Sequence, residues 1–411
     1  MMTGRQAGEI NRTRFTVLMA AAMAAATFAG PAFAVLARFI IDDLSLTRAE
    51  FGWIVAAFSV VGAIASPSIG RLTDRIGGRR TLTGIFVISG VGLLAVAVAP
   101  SFLWLVAAGI LTGTGQASAN PGTNKLISVH IPLGRRGAVT GVKQSGVQVG
   151  VFLAGMLLPA GALAWGWRTT MAIAAGISLL MLGGIRLIVP PDPAHDPARQ
   201  TPSRVVWSAP VLWLTAFGFL MGLAGGAVNT YIPLYGEEEI GLSVAVAGSV
   251  AGLAGLVAFF SRILWARHSE RTSDYIRSLI QIAGLSVVFA GALLAAPKGG
   301  AWLLWVGALG LSASATAWNA VGMLAVMEMA GHERSGGASG VVLFGFLAGL
   351  GLGPPILGWS VDRQGSYGSG LWGALLTFGV ATLLALLWQH KTRSRAGFPP
   401  YRGGSPRENG D

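Results

Sequence analysis

The chain has 411 residues, 53% hydrophobic and only 11% charged, less than half the roughly 25% charge of soluble domains. Its 60 glycines are about twice the usual share of roughly 7%; glycine is costly in soluble helices but common where membrane helices pack closely. The absence of cysteine excludes disulfides, thiolate metal sites and cysteine nucleophiles. The net charge of +12 rests on arginines that flank apolar runs, which fits membrane topology and not a nucleic-acid surface. An all-α polytopic membrane protein follows.

A membrane helix needs about 20 mainly apolar residues, and twelve stretches qualify. The first, 15–41, follows Arg12 and Arg14 and contains Ala32-Phe33-Ala34, which imitates a signal peptide with its cleavage site. The apolar run continues past that point to Ala37 and has a mid-chain counterpart, so it reads as a membrane helix. The second, 50–70, leads into Gly70-Arg71-Leu72-Thr73-Asp74-Arg75-Ile76-Gly77-Gly78-Arg79-Arg80, read as a tight cytoplasmic turn before the third, 79–99. Then come 102–126, 137–163 and 169–189, closing an N-terminal six-helix bundle over 1–189. The proline-rich segment 190–208 reads as a cytoplasmic linker. A C-terminal bundle over 209–390 follows, with stretches 209–235, 244–264, 276–296, 302–328, 336–360 and 370–390. The tail 391–411 is polar and rich in glycine and proline, with the composition of a disordered segment.

With the N-terminus in the cytoplasm, 23 of the 29 lysines and arginines fall on the cytoplasmic side and five (Arg38, Arg48, Arg168, Lys298, Arg363) outside, while Lys143 falls within a span. The bias places both termini in the cytoplasm. The halves also repeat. At an offset of 196, Leu46-Thr47 meets Leu242-Ser243, and Arg71, Asp74 and Arg75 meet Arg267, Glu270 and Arg271. At 199, Asn120 meets Asn319 and Gly141 meets Gly340. Parallel repeats of six helices predict two bundles related by pseudo-two-fold symmetry along the membrane normal, with a substrate site between them near the midplane.

These residues resemble the major facilitator superfamily. Gly70, Leu72, Asp74, Arg75, Gly77, Arg79 and Arg80 match its signature between the second and third helices, and 261–271 is similar to the weaker second copy, with Ala266 for glycine and Glu270 for aspartate. The resemblance implies a solute carrier working by alternating access. It also implies a gating role for Gly70, Asp74, Arg75, Gly77, Arg79, Arg267, Glu270 and Arg271. In the family the aspartate sits near the start of the eleventh helix when the inner side is closed, where free N–H groups favour an anion. Two family features are missing. The arginine before Gly113-Thr114-Gly115 is replaced by Gly109, and the glycine-proline pair of drug antiporters is replaced by Ala154-Gly155.

Among candidate binding residues, Lys143 is the most informative, because a cation inside a span is costly and turns away from lipid unless it snorkels. Gln144 and Gln148 share its helix, and Asn120 and Asn124 lie on the preceding one. Arg38, Asn229, Tyr231 and Asn319 complete the expected substrate site, with a pairing to Asp42 as the alternative for Arg38. No mid-span acid is present to bind a cation, and no pair of histidines has metal-ligand spacing. The sequence thus predicts a symporter-type secondary transporter importing a small organic or inorganic anion, any coupling proton travelling on the substrate. It is expected to be a monomer in the cytoplasmic membrane with no cofactor, nucleic-acid partner or catalytic site. The alternative is efflux of a hydrophobic compound.

Overall fold

The computed structural model describes residues 11–132, 135–190, 208–330 and 335–395. No strand occurs among them. The helices are α1 (Arg12–Thr27), α2 (Ala29–Leu44), α3 (Arg48–Ile76), α4 (Gly78–Ala97), α5 (Phe102–His130), α6 (Arg136–Trp165) and α7 (Trp167–Ile188). The second half supplies α8 (Ala209–Glu238), α9 (Val244–Thr272), α10 (Tyr275–Gly299), α11 (Ala301–Ala313), α12 (Trp318–Ala330), α13 (Ser335–Gln364) and α14 (Gly368–Arg395). Eleven helices of the described residues are long and apolar enough to cross a membrane, and the bent pair α1 and α2 makes a twelfth span. Of the expected linker 190–208 and tail 391–411, residues 191–207 and 396–411 lie outside the described residues, and α14 runs on to Arg395.

The two halves meet chiefly along two seams, α3 on α13 and α6 on α9. Both depend on glycine. A Cβ on Gly52 would collide with the backbone of Pro354 and Pro355, and one on Gly155 with the backbone of Gly252. Small residues of this kind let membrane helices pack backbone to backbone. The expected helix starts are capped. Thr47 opens α3 with a capping box, accepting from Glu50 N at 3.1 Å while Glu50 Oε2 accepts from Thr47 N at 2.8 Å. Its counterpart Ser243 accepts from Val246 N at 3.4 Å at the start of α9.

Two spans are broken near mid-membrane. Between α1 and α2 the chain bends by 43°. Pro31 explains this, since its ring clashes with the carbonyl four residues back, at Thr27, and supplies no N–H. In the tenth span, α11 gives way to a 3₁₀ turn at Ala315–Ala317 before α12. Non-helical backbone at such depth is tolerated where it is buried in protein or lines a cavity.

Several helices outrun their apolar cores. Residues 70–80 are not the turn that the sequence suggested: α3 continues to Ile76, only Gly77 (φ 91°) lies between helices, and α4 starts at Gly78. Arg71, Asp74 and Arg75 are therefore helical. Arg267, Glu270 and Arg271 lie likewise on the last turns of α9, exposed. Glu237 and Glu238, beyond the predicted stretch 209–235, end α8.

Candidate functional site

A cavity of about 300 Å³ lies between the halves. Its walls come from both breaks, with Thr27, Gly30 and Pro31 on one side and Ser312, Ala315 and Thr316 on the other. The rest is largely apolar, including Val35, Phe58, Val151 and Met221, with Ser59, Gln116, Gln148, Asn229, Thr230 and Arg262 as polar exceptions. Asn229 is an exposed residue on an otherwise buried stretch of α8, which fits a side chain that meets the cavity.

Arg262 is the cation of this cavity, and the sequence reading missed it. α9 uses three side chains to hold the broken tenth span. Ser261 Oγ donates to Ser312 O at 3.1 Å, Arg262 Nε to Thr316 O at 3.3 Å and Trp265 Nε1 to Ala313 O at 2.9 Å. With Nε so fixed, the guanidinium turns its remaining N–H groups inward. Gln148, its amide oriented to satisfy both ends, accepts from Arg262 Nη1 at 3.0 Å and donates to Gly255 O at 3.3 Å. One contact thus joins α6 of the first half to α9 of the second. Among the described residues no carboxylate pairs with Arg262; its acceptors are neutral. The signal was present in the sequence. The predicted span stopped at 264, which made Arg262 interfacial, but α9 runs ten residues beyond it to Thr272, about 15 Å at 1.5 Å per residue. Gln116 was also overlooked; its Oε1 is buried without a partner.

Of the residues expected from sequence, Gln148 and Asn229 line the cavity together. Lys143 does not. It is wholly buried between α5 and α6, and Nζ donates to Asn124 Oδ1 at 2.7 Å and Asn120 Oδ1 at 3.0 Å. Gln144 is exposed and Asn319 half-buried, and neither is a cavity residue. Arg38 and Tyr231 belong to a different assembly, at the Arg48 end of the seam.

That assembly ties the halves together. Arg48 Nη2 meets Glu238 Oε1 at 2.7 Å. Tyr231 OH donates to the Arg48 carbonyl, and Tyr367 OH donates to Glu238 Oε2 at 2.7 Å. Burial pushes the Tyr367 hydroxyl well above its ordinary pKa, so it remains a donor at physiological pH. Asp362, at the end of α13, caps α3 across the seam, accepting from Arg48 N at 2.9 Å and Ala49 N at 2.7 Å. Arg38 Nη1 reaches Glu237 at 3.4 Å and Nε reaches Asp42 at 3.7 Å. These cations offset the carboxylates at the C-terminus of α8, where the helix dipole disfavours negative charge.

The opposite end is arranged differently. Asp74 Oδ1 accepts from Lys125 Nζ at 3.3 Å, within its own half. A Cβ on Gly70 or Gly340 would meet nothing within 4 Å. Arg71 donates to Ser68 Oγ at 3.1 Å.

A two-bundle helical membrane protein with broken spans around a central cavity is the architecture of a solute transporter. The chain belongs to the Major Facilitator Superfamily, whose family model matches residues 17–341. It is 26% identical to the hexuronate transporter of Bacillus subtilis over 388 residues, covering 86% of this chain and 88% of the relative. It is 28% identical to the gallate transporter of Pseudomonas putida, covering 78% and 82%. With a probable nitrate/nitrite transporter, NarK2 of Mycobacterium tuberculosis, it shares 30% identity over 62% of this chain and 66% of that one. A bacterial homolog of the human lysosomal transporter Spinster, solved inward-facing and unoccupied, superposes with a TM-score of 0.78 at 18% identity, covering 97% of this chain and 100% of that chain. The protein is a multi-span membrane transporter.

Proposed function

We propose that the chain carries a small anion across the cytoplasmic membrane by alternating access, inward, with both termini in the cytoplasm. The carrying observation is Arg262, a cation facing a largely apolar cavity with only neutral protein acceptors. A charge so placed is costly unless something pairs with it, and an anionic substrate supplies that partner. Gln148 and Asn229 add amide donors, Arg262 offers a fork suited to a carboxylate, and the cavity has room for an organic acid. The relatives whose names carry hexuronate, gallate and nitrate support the same substrate class. Any coupling proton travels on the substrate.

The two ends of the seam act as gates in this reading. The Arg48 end, facing outward, is tied. At the cytoplasmic end Asp74 is held by Lys125, and in the opposite state it moves, with Arg75, to the start of α13 as a latch.

The apolar walls favour a second reading, efflux of a hydrophobic compound. Purified protein in liposomes, screened by counterflow against carboxylates, inorganic anions and lipophilic cations, separates the two. Counterflow of at least one anion class and of no cation is expected; counterflow of cations alone would remove the anion reading.

A further inference from the structure

We propose a second anion station, formed by the side-chain amides of Asn120 and Asn124 and backed by Lys143, between the central cavity and the Asp74 end. The proposal rests on the anionic-substrate reading above but concerns different residues and a different step, the passage of the anion after it leaves Arg262.

The chemistry starts from Lys143. Its ammonium is donor-only, so both asparagines must turn their oxygens toward it, as the bonds at 2.7 and 3.0 Å show. Each amide nitrogen is therefore directed away from the lysine. Asn120 and Asn124 are exposed while Lys143 beneath them is fully buried. The result is two outward amide donors polarised by a buried positive charge. No carboxylate pairs with Lys143 among the described residues, and the nearby Asp74 is bonded to Lys125.

Position gives this surface its role. Gln116, Asn120, Asn124 and Ser128 recur every four residues along α5, a step of about 6 Å along the axis. Gln116 lines the central cavity, so the row starts there and runs toward the end that carries Lys125 and Asp74. α5 is flanked by α3, through Asp74, and by α6, through Lys143. Those two helices form the seams with the second half, so the exposed strip between them faces the space between the halves. An anion released from Arg262 past Gln116 meets Asn120 one step on. Neutral donors over a buried cation hold it weakly, as a release path requires.

The cysteine-free chain allows a direct test. A single Ser128→Cys reporter is labelled with an anionic sulfonate and with a cationic trimethylammonium methanethiosulfonate. The ratio of the two rates reads the local potential, and Lys125 and Arg136, present throughout, cancel in the comparison. Lys143→Met should lower the anion-over-cation ratio by about tenfold, the scale for a unit charge at close range under partial screening. Nitrate and benzoate should slow labelling of the reporter thiol in an Arg262→Met background, where the central site is disabled, and should not do so once Lys143→Met is added. Asn124→Leu keeps the charge but removes an amide; it should abolish protection while leaving the ratio near its original value. This variant carries the test if Lys143→Met does not fold. An unchanged ratio in Lys143→Met, protection that vanishes with Arg262→Met alone, or protection that survives Asn124→Leu overturns the station. Failure of the anionic reading appears instead as absent counterflow, whatever the reporter shows.

Discussion

The two ends of the seam between the halves use the same parts in opposite conditions. α3 and α13 each carry an aspartate two residues before their last residue, Asp74 before Ile76 and Asp362 before Gln364. At one end Asp362 crosses the seam and caps the first N–H groups of α3. At the other, Asp74 stays within its half on Lys125. The carboxylates are equivalent in chemistry and in place on their helices; they differ in what they can reach. A helix N-terminus with free N–H groups attracts a carboxylate, and Asp362 holds the start of α3 in this way. The comparison therefore suggests two reciprocal latches, of which only the Arg48-end latch is made here.

A cysteine at Ser59, which lines the cavity, reports access from either side by its labelling rate with an impermeant reagent. The largest expected change is for Gly52→Val, because its Cβ would meet backbone of Pro354 and Pro355, which cannot rotate away. Overpacking of this kind costs about 1–3 kcal/mol, so labelling from the Arg48 side should rise by about 5- to 150-fold. Glu238→Gln removes the charge that Arg48 and Tyr367 share. A partly exposed, hydrogen-bonded pair of this kind supports a rise of about 5- to 10-fold. Asp362→Asn weakens the cap on α3 and should give about 2- to 5-fold. Asp74→Asn acts at the unmade latch, so it should leave labelling from the Arg48 side unchanged or lower and raise labelling from the Asp74 side about 2- to 3-fold. Equal effects of Asp362→Asn and Asp74→Asn on both sides would contradict reciprocity.

The helices were legible in the sequence because a span is defined locally, by length and apolar character. Their ends were not. Asp74, Glu238 and Asp362 all sit on helix that extends past the predicted apolar stretch, where charge reads as loop but the backbone stays helical, and Arg262 lies two residues before the predicted end of its own. Truncating the predicted spans moved the chemistry outward, which is why Arg262 was taken for part of a cytoplasmic signature. Gln148 and Asn229 are expected at the site because polar residues inside a span are conspicuous, and both line the cavity. Lys143, Asn120 and Asn124 are expected together at the substrate, and the structure bonds them to one another outside the cavity lining. Their distance from the cavity was not legible, because it depends on how α5 and α6 lean against one another. Tyr231 and Arg38 were expected at the substrate, but long-range partners on the far side of the seam draw them to the Arg48 end.

The central claim is that the charge selecting the substrate is Arg262. Counterflow of the best anion found in the liposome screen, compared in wild type, Arg262→Lys and Arg262→Met with matched reconstitution, tests it most directly. Losing a charge-assisted bond worth about 1.5–3 kcal/mol predicts a fall in transport efficiency of about 10- to 150-fold for Arg262→Met, with partial recovery in Arg262→Lys. Wild-type efficiency in Arg262→Met would contradict the claim.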